Sequence, residues 1–400
     1  MAPATESQAS FLSRISIRRN QIISMDVNHE QALEELEYFQ SHVSDRFSEL
    51  ISPPVTAPAS PSQPSDPILS IPWLQNLLDV FTSCETEFRG VLSTVRISKS
   101  PSLERLLSEL LDRILKALDL CNAVVNGIDS VRQSRRLAEI AVTALKQRPL
   151  CDGSVRRAKR ALASLVVGLN GDEGKVGNSG SGGGGSSNQQ RTTFRSWSFG
   201  PRSNVTVGGG GSSGHVGKTW SATKQIQGMV ANLALPRGGE ASGPAMPVYI
   251  MSSVLVLVMW VLVAAVPCQT SNVLVAPLQL PKHQSWASAA VNIQERVGEE
   301  MKRKEKRFGG GGGGGGGLME EMQRMEKIGL ALLEFTERFR FPAEEAEEEE
   351  VADKVDEMED ICRVMEVGLE DLQRQVREVF HRLVRSRLEI VSLLDQAPAI

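Results

Sequence analysis

The sequence predicts an all-α protein, folded as a multi-helix bundle, and three observations carry this prediction. First, several segments place apolar residues every three or four positions, as amphipathic helices do. Second, aromatic residues make up only 5% of the 400 residues, so a core must be built from Leu, Val, Ile and Met, which suits helices better than sheets. Third, a sustained heptad pattern near the C-terminus predicts one long helix.

In the first part of the chain, the sequence predicts a mobile arm over 1–25 and an N-terminal helical region over 26–167. A first helix begins near Asn28, where Gln31 completes a capping-box pattern, and ends before a Pro-rich spacer over 52–72. Four further helices are then predicted, with Ser102 as the N-cap of the second. They cover 73–95, 102–125, 130–146 and 154–167.

Glycine-rich segments interrupt the helical patterns. Residues 168–217 predict a disordered Gly/Ser linker, because the segment has too little apolar surface to offset the entropy of ordering. Within it, Arg195 lies three residues before Ser198, which is the spacing that basophilic kinases favour, so Ser198 is a candidate phosphosite. The region 218–308 holds an apolar segment and then a basic helix, and a poly-Gly insertion follows at 309–317.

The C-terminal helical region, 318–397, carries the heptad pattern. Eleven of its twelve core positions are apolar, and further apolar residues widen the seam, so a helix in a bundle fits better than a two-stranded coiled coil. The acidic run 344–350 before it predicts either a solvated loop or the start of the helix. The twelve positions are Val355, Met358, Cys362, Met365, Leu369, Leu372, Val376, Val379, Leu383, Ser386, Ile390 and Leu393.

The apolar segment 245–266 has no charged residue and supports two interpretations. As a helix it rises about 33 Å, which matches a hydrocarbon core of about 30 Å, and it predicts a single-pass or tightly membrane-associated protein that faces the cytosol. The alternative is a cytosolic bundle with this helix at its centre, because spanning would separate the two helical halves. The residues that mark the segment are Ala245, Val248, Tyr249, Trp260 and Val266.

A cluster of cations is the candidate binding surface. The helices predicted over 130–146 and 154–167 carry a dense series of Arg and Lys, which suits an acidic partner or an anionic lipid. The alternative is a solvated helix face that nearby carboxylates such as Asp129 and Glu139 partly neutralise. The basic set consists of Arg132, Arg135, Arg136, Arg156, Arg157, Lys159 and Arg160.

Several function classes are not expected from this sequence. A net charge of −4 gives no reason to expect nucleic acid as a partner. The five cysteines are scattered and never in C-x-x-C spacing, which predicts reduced cytosolic thiols rather than a zinc site. No phosphate-binding loop, H-E-x-x-H motif or G-x-S-x-G nucleophile elbow is present, so no enzyme, catalytic residue, cofactor, metal or small-molecule substrate is predicted.

Four blocks of the sequence resemble the plant BYPASS-related family and are closest to its ROH-type branch. The blocks are 11–47, 234–269 (with MWVLVAAVPCQ), 318–335 and 377–397. The resemblance implies a helical plant protein without known catalytic residues. For the ROH-type branch it also implies binding to a peripheral subunit of the exocyst, the complex that tethers secretory vesicles. A membrane-anchored, BYPASS-like regulator of developmental signalling is the first alternative, and an enzyme of unrecognised type is the second.

Overall fold

In the computed structural model, every regular element of the described residues is a helix, which confirms the all-α prediction. The structure describes residues 33–51, 67–94, 101–170, 220–238, 243–268, 278–282, 284–307, 317–340 and 345–395. The helices are α1 (33–51), α2 (Ile71–Thr94), α3 (Pro101–Leu145), α4 (Asp152–Asn170), α5 (Ala222–Val230), α6 (Ala245–Ala265), α7 (Ser285–Arg307), α8 (Glu320–Arg338) and α9 (Glu345–Asp395).

Parts of the sequence prediction lie outside the described residues. These are the arm at 1–25, the start of the first helix, Ser198, and most of the Pro-rich spacer, the Gly/Ser linker and the poly-Gly insertion.

One long helix replaces two of the predicted helices. The segments 102–125 and 130–146 belong to the single 45-residue helix α3, so the predicted break was wrong. Glycine costs only about 1 kcal/mol within a helix, and Val124 and Ile128 on either side of Gly127 are fully buried, so packing outweighs this local preference. The N-cap prediction for Ser102 was also wrong, because the helix already begins at Pro101, and proline is favoured at the first helical position.

The long helix α9, the last in the chain, packs against helices from the N-terminal region. It packs against α2 and α3, while α4 packs against α8, so helices of the N-terminal and C-terminal regions share one bundle. Eleven of the twelve heptad positions are buried, and Leu393 is half-buried. Because α9 begins at Glu345, the acidic run forms the start of this helix rather than a loop.

The apolar helix α6 lies inside the bundle, where 19 of its 21 residues are buried. Within the described ranges, α6 is the one helix long and apolar enough to cross a membrane by length and composition. It packs against α2, α3, α5 and α7. At its C-terminal end, the backbone N–H of Leu318 donates to Ala264 O at 2.9 Å and that of Met319 to Ala265 O at 3.0 Å. The last carbonyls of a helix lack intrahelical hydrogen-bond donors, and these two N–H groups supply donors to the last carbonyls of α6.

Two glycines provide a matched test of the packing between α3 and the end of α6. A Cβ atom on Gly127 would lie 2.5 Å from Val266 Cγ1 and 2.8 Å from Pro267 O, whereas a Cβ on Gly90 of α2 would meet no atom within 4 Å. We expect Gly127→Ala to lower the free energy of unfolding by about 1–2 kcal/mol, because overpacking outweighs the gain in helix propensity. Gly90→Ala should raise it by about 0.5–1 kcal/mol. Urea unfolding followed by circular dichroism measures both changes, and stabilisation by Gly127→Ala would contradict the close approach.

Candidate functional site

The α3 members of the basic set differ in their surroundings. Arg132 donates to Gln373 Oε1 of α9 at 2.7 Å. The side chain of Arg135 is only 13% exposed and reaches Glu366 of α9 at 3.6 Å. Arg136, by contrast, is exposed. Two of these three guanidinium groups therefore connect α3 to α9 and are largely withdrawn from the surface.

The α4 members of the basic set lie on the outer surface, and two of them form exposed ion pairs. Arg156 pairs with Asp152 on the same helix at 2.6 Å, and Lys159 pairs with Glu337 of α8 at 3.5 Å. Exposed pairs of this kind contribute about 0–1 kcal/mol each, because water and salt screen them. Their charges are thus partly neutralised without a large effect on stability.

Three members of the basic set are exposed and have no ion-pair partner in the part of the chain that the structure describes. They are Arg136 on α3 and Arg157 and Arg160 on α4, here called the unpaired arginines. Arg157 and Arg160 are three residues apart and therefore share one face of α4. Of the seven predicted cations, these three are the ones that remain available to an acidic partner.

A buried polar cluster between α2 and α9 was missed by the sequence analysis. Glu85, whose side chain is 2% exposed, accepts a hydrogen bond from Arg382 Nη1 at 3.0 Å and another from the hydroxyl of Ser386. Arg89 donates from Nε to Glu389 Oε2 at 2.7 Å. We call these five residues the Glu85 cluster. One signal was available in the sequence, because Ser386 is the single polar residue among the twelve heptad positions.

A second buried charge lies where α8 meets the start of α2. Glu321 is 6% exposed, and its Oε1 accepts a hydrogen bond from the backbone N–H of Ile71 at 2.9 Å. Burial raises the pKa of this carboxyl group above its usual range. The contact satisfies a backbone donor in the first turn of α2, so a residue far along the chain takes the role of a local cap.

Four of the five thiols fall into two groups, and the fifth, Cys268, is half-buried. Cys84, Cys121 and Cys362 are buried, in agreement with a role as small core residues, and burial raises the pKa of each to about 12. Cys151 is exposed just before α4, and the backbone N–H of Ser154 donates to its sulfur at 3.4 Å. Hydrogen bonds from Ser154 lower the pKa of Cys151, because they stabilise the thiolate.

This contrast predicts selective alkylation. At pH 8, iodoacetamide should modify Cys151 at least tenfold faster than Cys84, Cys121 or Cys362, because reaction requires an accessible thiolate. Peptide mass spectrometry at successive times measures the rates, and alkylation in urea provides the control in which the rates converge. Equal rates in the folded protein would contradict the burial of the three core thiols.

None of the groups described so far has the arrangement of a reaction centre. In the ranges the structure describes, no set of three or more His, Cys, Asp or Glu is placed to hold a metal ion. The Glu85 cluster and Glu321 join one helix to another, and the unpaired arginines lie on the outside. The fold and these sites define a helical-bundle protein with buried polar contacts between its helices and exposed, unpaired arginines on α3 and α4.

Comparison with known proteins places this bundle in a family. The chain belongs to the ROH1-like family, whose model, described as "Protein ROH1-like", matches residues 2–394. It is 53% identical over 418 residues to Protein ROH1A of Arabidopsis thaliana, covering 99% of this chain and 98% of that relative. It is 34% identical over 411 residues to Protein ROH1D of the same plant, covering 97% of each chain. The resemblance to the plant BYPASS-related family is thereby confirmed. No solved structure matches the chain.

Proposed function

We propose that this chain is a non-enzymatic interaction protein that binds a peripheral subunit of the exocyst and thereby modulates secretion. Membership of the ROH1-like family over almost the whole chain is the observation that carries this proposal. The resemblance of its sequence blocks to the ROH-type branch implies the partner. A surface role also agrees with the contacts of Glu85, a buried carboxylate whose hydrogen bonds come from Arg382 and Ser386 of α9.

Affinity purification tests the partner. The full-length protein, tagged and expressed in plant cells, should enrich a peripheral exocyst subunit over a tag-only control when bound proteins are identified by mass spectrometry. Direct binding of the two purified proteins should follow. Absence of exocyst subunits from the full-length sample would overturn the proposal and favour the BYPASS-like regulator.

The unpaired arginines are the proposed contact with this partner, and they require an acidic surface on it. Complementary charge accelerates association, so the triple reversal of Arg136, Arg157 and Arg160 to Glu should lower the association rate at least tenfold in low salt. The matched control reverses three exposed arginines that pair with carboxylates on their own helices, namely Arg338, Arg363 and Arg374. An equal effect of both reversals would show only a response to net charge and would refute this contact.

For the location of the protein, we infer a cytosolic bundle with α6 as its core helix. The burial of α6 and the hydrogen bonds that Leu318 and Met319 donate to its last carbonyls support this form. A spanning α6 would place α2 and α3 on one side of the membrane and α8 and α9 on the other, and the contacts of α9 with α2 and α3 would be lost. The single-pass form remains the competing prediction.

Carbonate extraction of plant membranes separates these two forms. A cytosolic or peripherally bound bundle should appear in the supernatant, whereas a spanning helix stays in the pellet with an integral membrane marker. Retention in the pellet would support the membrane-anchored regulator instead.

A further inference from the structure

The short helix α5 lies against α3 and α6. Its residues Ala222, Ile226 and Met229 are buried, and their spacing of four and three places them on one face of the helix. An isolated helix shorter than about 12 residues is only marginally stable in water. The nine-residue α5 therefore owes its helical form to the surface formed by α3 and α6, which we call the α5 groove.

A buried guanidinium group recognises the C-terminal end of α5. Arg113 of α3 is 3% exposed and donates from Nε to Met229 O at 3.0 Å and from Nη2 to Ala231 O at 3.4 Å. The last carbonyls of a helix lack intrahelical partners and form the negative end of its dipole. The groove thus combines apolar walls with a guanidinium group at the end, and this chemistry fits the C-terminal half of an amphipathic helix. Arg113 also pairs with Glu109 of its own helix at 3.4 Å, a contact that does not depend on α5.

Neither α4 nor α6 is continuous with α5, so the departure of α5 need not change either helix. Residues 171–221 separate it from α4, and the chain turns after it at Asn232, whose φ of 63° lies in the left-handed region. Departure of α5 would uncover part of α6, a helix that is apolar on all sides. It would also leave Arg113 without two of its acceptors. Both changes are unfavourable in water, so an empty groove requires another occupant.

We propose that α5 is a displaceable occupant and that the α5 groove also accepts a short amphipathic helix from a protein partner. Such a helix would bury apolar residues at the positions of Ala222, Ile226 and Met229 and would place its terminal carbonyls on Arg113. A lipid acyl chain fits less well, because it would leave Nε and Nη2 of Arg113 without the acceptors that Met229 O and Ala231 O supply. The tethered α5 competes at an effective concentration in about the millimolar range, so it restrains the groove until a tighter-binding helix arrives. This inference does not depend on the identity of the exocyst as partner.

Hydrogen exchange on the unmodified full-length protein is the first test. The backbone amides of α5 should exchange by local opening, at least tenfold faster than buried amides of α3 and α6 under the same conditions. Exchange of α5 only together with α3 and α6 would show that it is a fixed part of the bundle and would overturn the proposal.

Peptide binding is the second test. A fluorescent peptide of residues 220–233 should bind the full-length Ile226→Asp/Met229→Asp variant, whose own α5 is released, at least tenfold more tightly than it binds the unmodified protein. The control variant Lys224→Asp/Gln227→Asp changes two exposed positions of α5 and should behave like the unmodified protein. Adding Arg113→Gln to the released variant should weaken peptide binding at least fivefold. Equal peptide affinity for the Ile226→Asp/Met229→Asp variant and the unmodified protein would refute binding in the α5 groove. An unchanged affinity after Arg113→Gln would refute it as well.

Discussion

Replacing Val258 by aspartate is expected to eliminate the folded bundle. Val258 lies in α6 with its side chain fully buried among apolar neighbours. An unpaired carboxyl group at such a position costs several kcal/mol, which is comparable to the whole stability of about 5–15 kcal/mol of a typical domain. We expect a loss of at least 4 kcal/mol, seen as an unfolded protein or a sharply lowered thermal midpoint in circular dichroism.

The matched control is the same substitution at Val367 of α9. This side chain is 67% exposed, so Val367→Asp should change the free energy of unfolding by no more than about 0.5 kcal/mol. A folded Val258→Asp protein with an unchanged midpoint would contradict the central position of α6. In a spanning helix, aspartate near the middle costs about 2.5–3.5 kcal/mol of insertion, so that variant would instead show reduced membrane integration.

The second large effect is expected from Glu85→Ala, which should lower the free energy of unfolding by about 3 kcal/mol. The change removes the acceptor of Arg382 and Ser386 and leaves a gap between α2 and α9. Breaking a buried pair costs about 3–5 kcal/mol, and the lower end applies here because Arg382 is 26% exposed and can turn to water. Urea unfolding measures the change.

Glu378→Ala provides the control for Glu85. Glu378 pairs with the same Arg382 at 3.2 Å, but its side chain is 59% exposed. Its removal should cost less than about 1 kcal/mol, as for other exposed pairs. If both substitutions had the same small effect, the Glu85 cluster would not hold α2 to α9.

Local patterns in the sequence determined the helices and most of their buried faces. The heptad positions of α9, from Val355 to Ile390, could be predicted because a repeat of seven residues places side chains on one side of a helix whatever the partner. The continuity of α3 through Gly127 could not be predicted in the same way. The preference of Gly127 against helix is about 1 kcal/mol, and contacts with distant helices outweighed it.

The role of the charged residues depended on neighbours that are remote in the chain. Arg132 and Arg136 look alike in the sequence, yet the first contacts Gln373 of α9 and the second is exposed. Glu85 resembled a surface carboxylate until α9 brought Arg382 and Ser386 to it. Of the candidate site, the sequence could therefore predict the concentration of positive charge on α3 and α4, while tertiary packing decided which cations stay at the surface.

The apolar segment shows most clearly the difference between what the sequence determines and what tertiary packing decides. Its length and its lack of charged residues determined a helix over Ala245–Ala265, because an apolar run this long exceeds the length of an ordinary strand. Composition alone could not distinguish lipid from a protein core, since both exclude water and accept the same side chains. Only the packing of α2, α3, α5 and α7 around this helix, with the backbone of Leu318 and Met319 at its last carbonyls, gave it a protein environment.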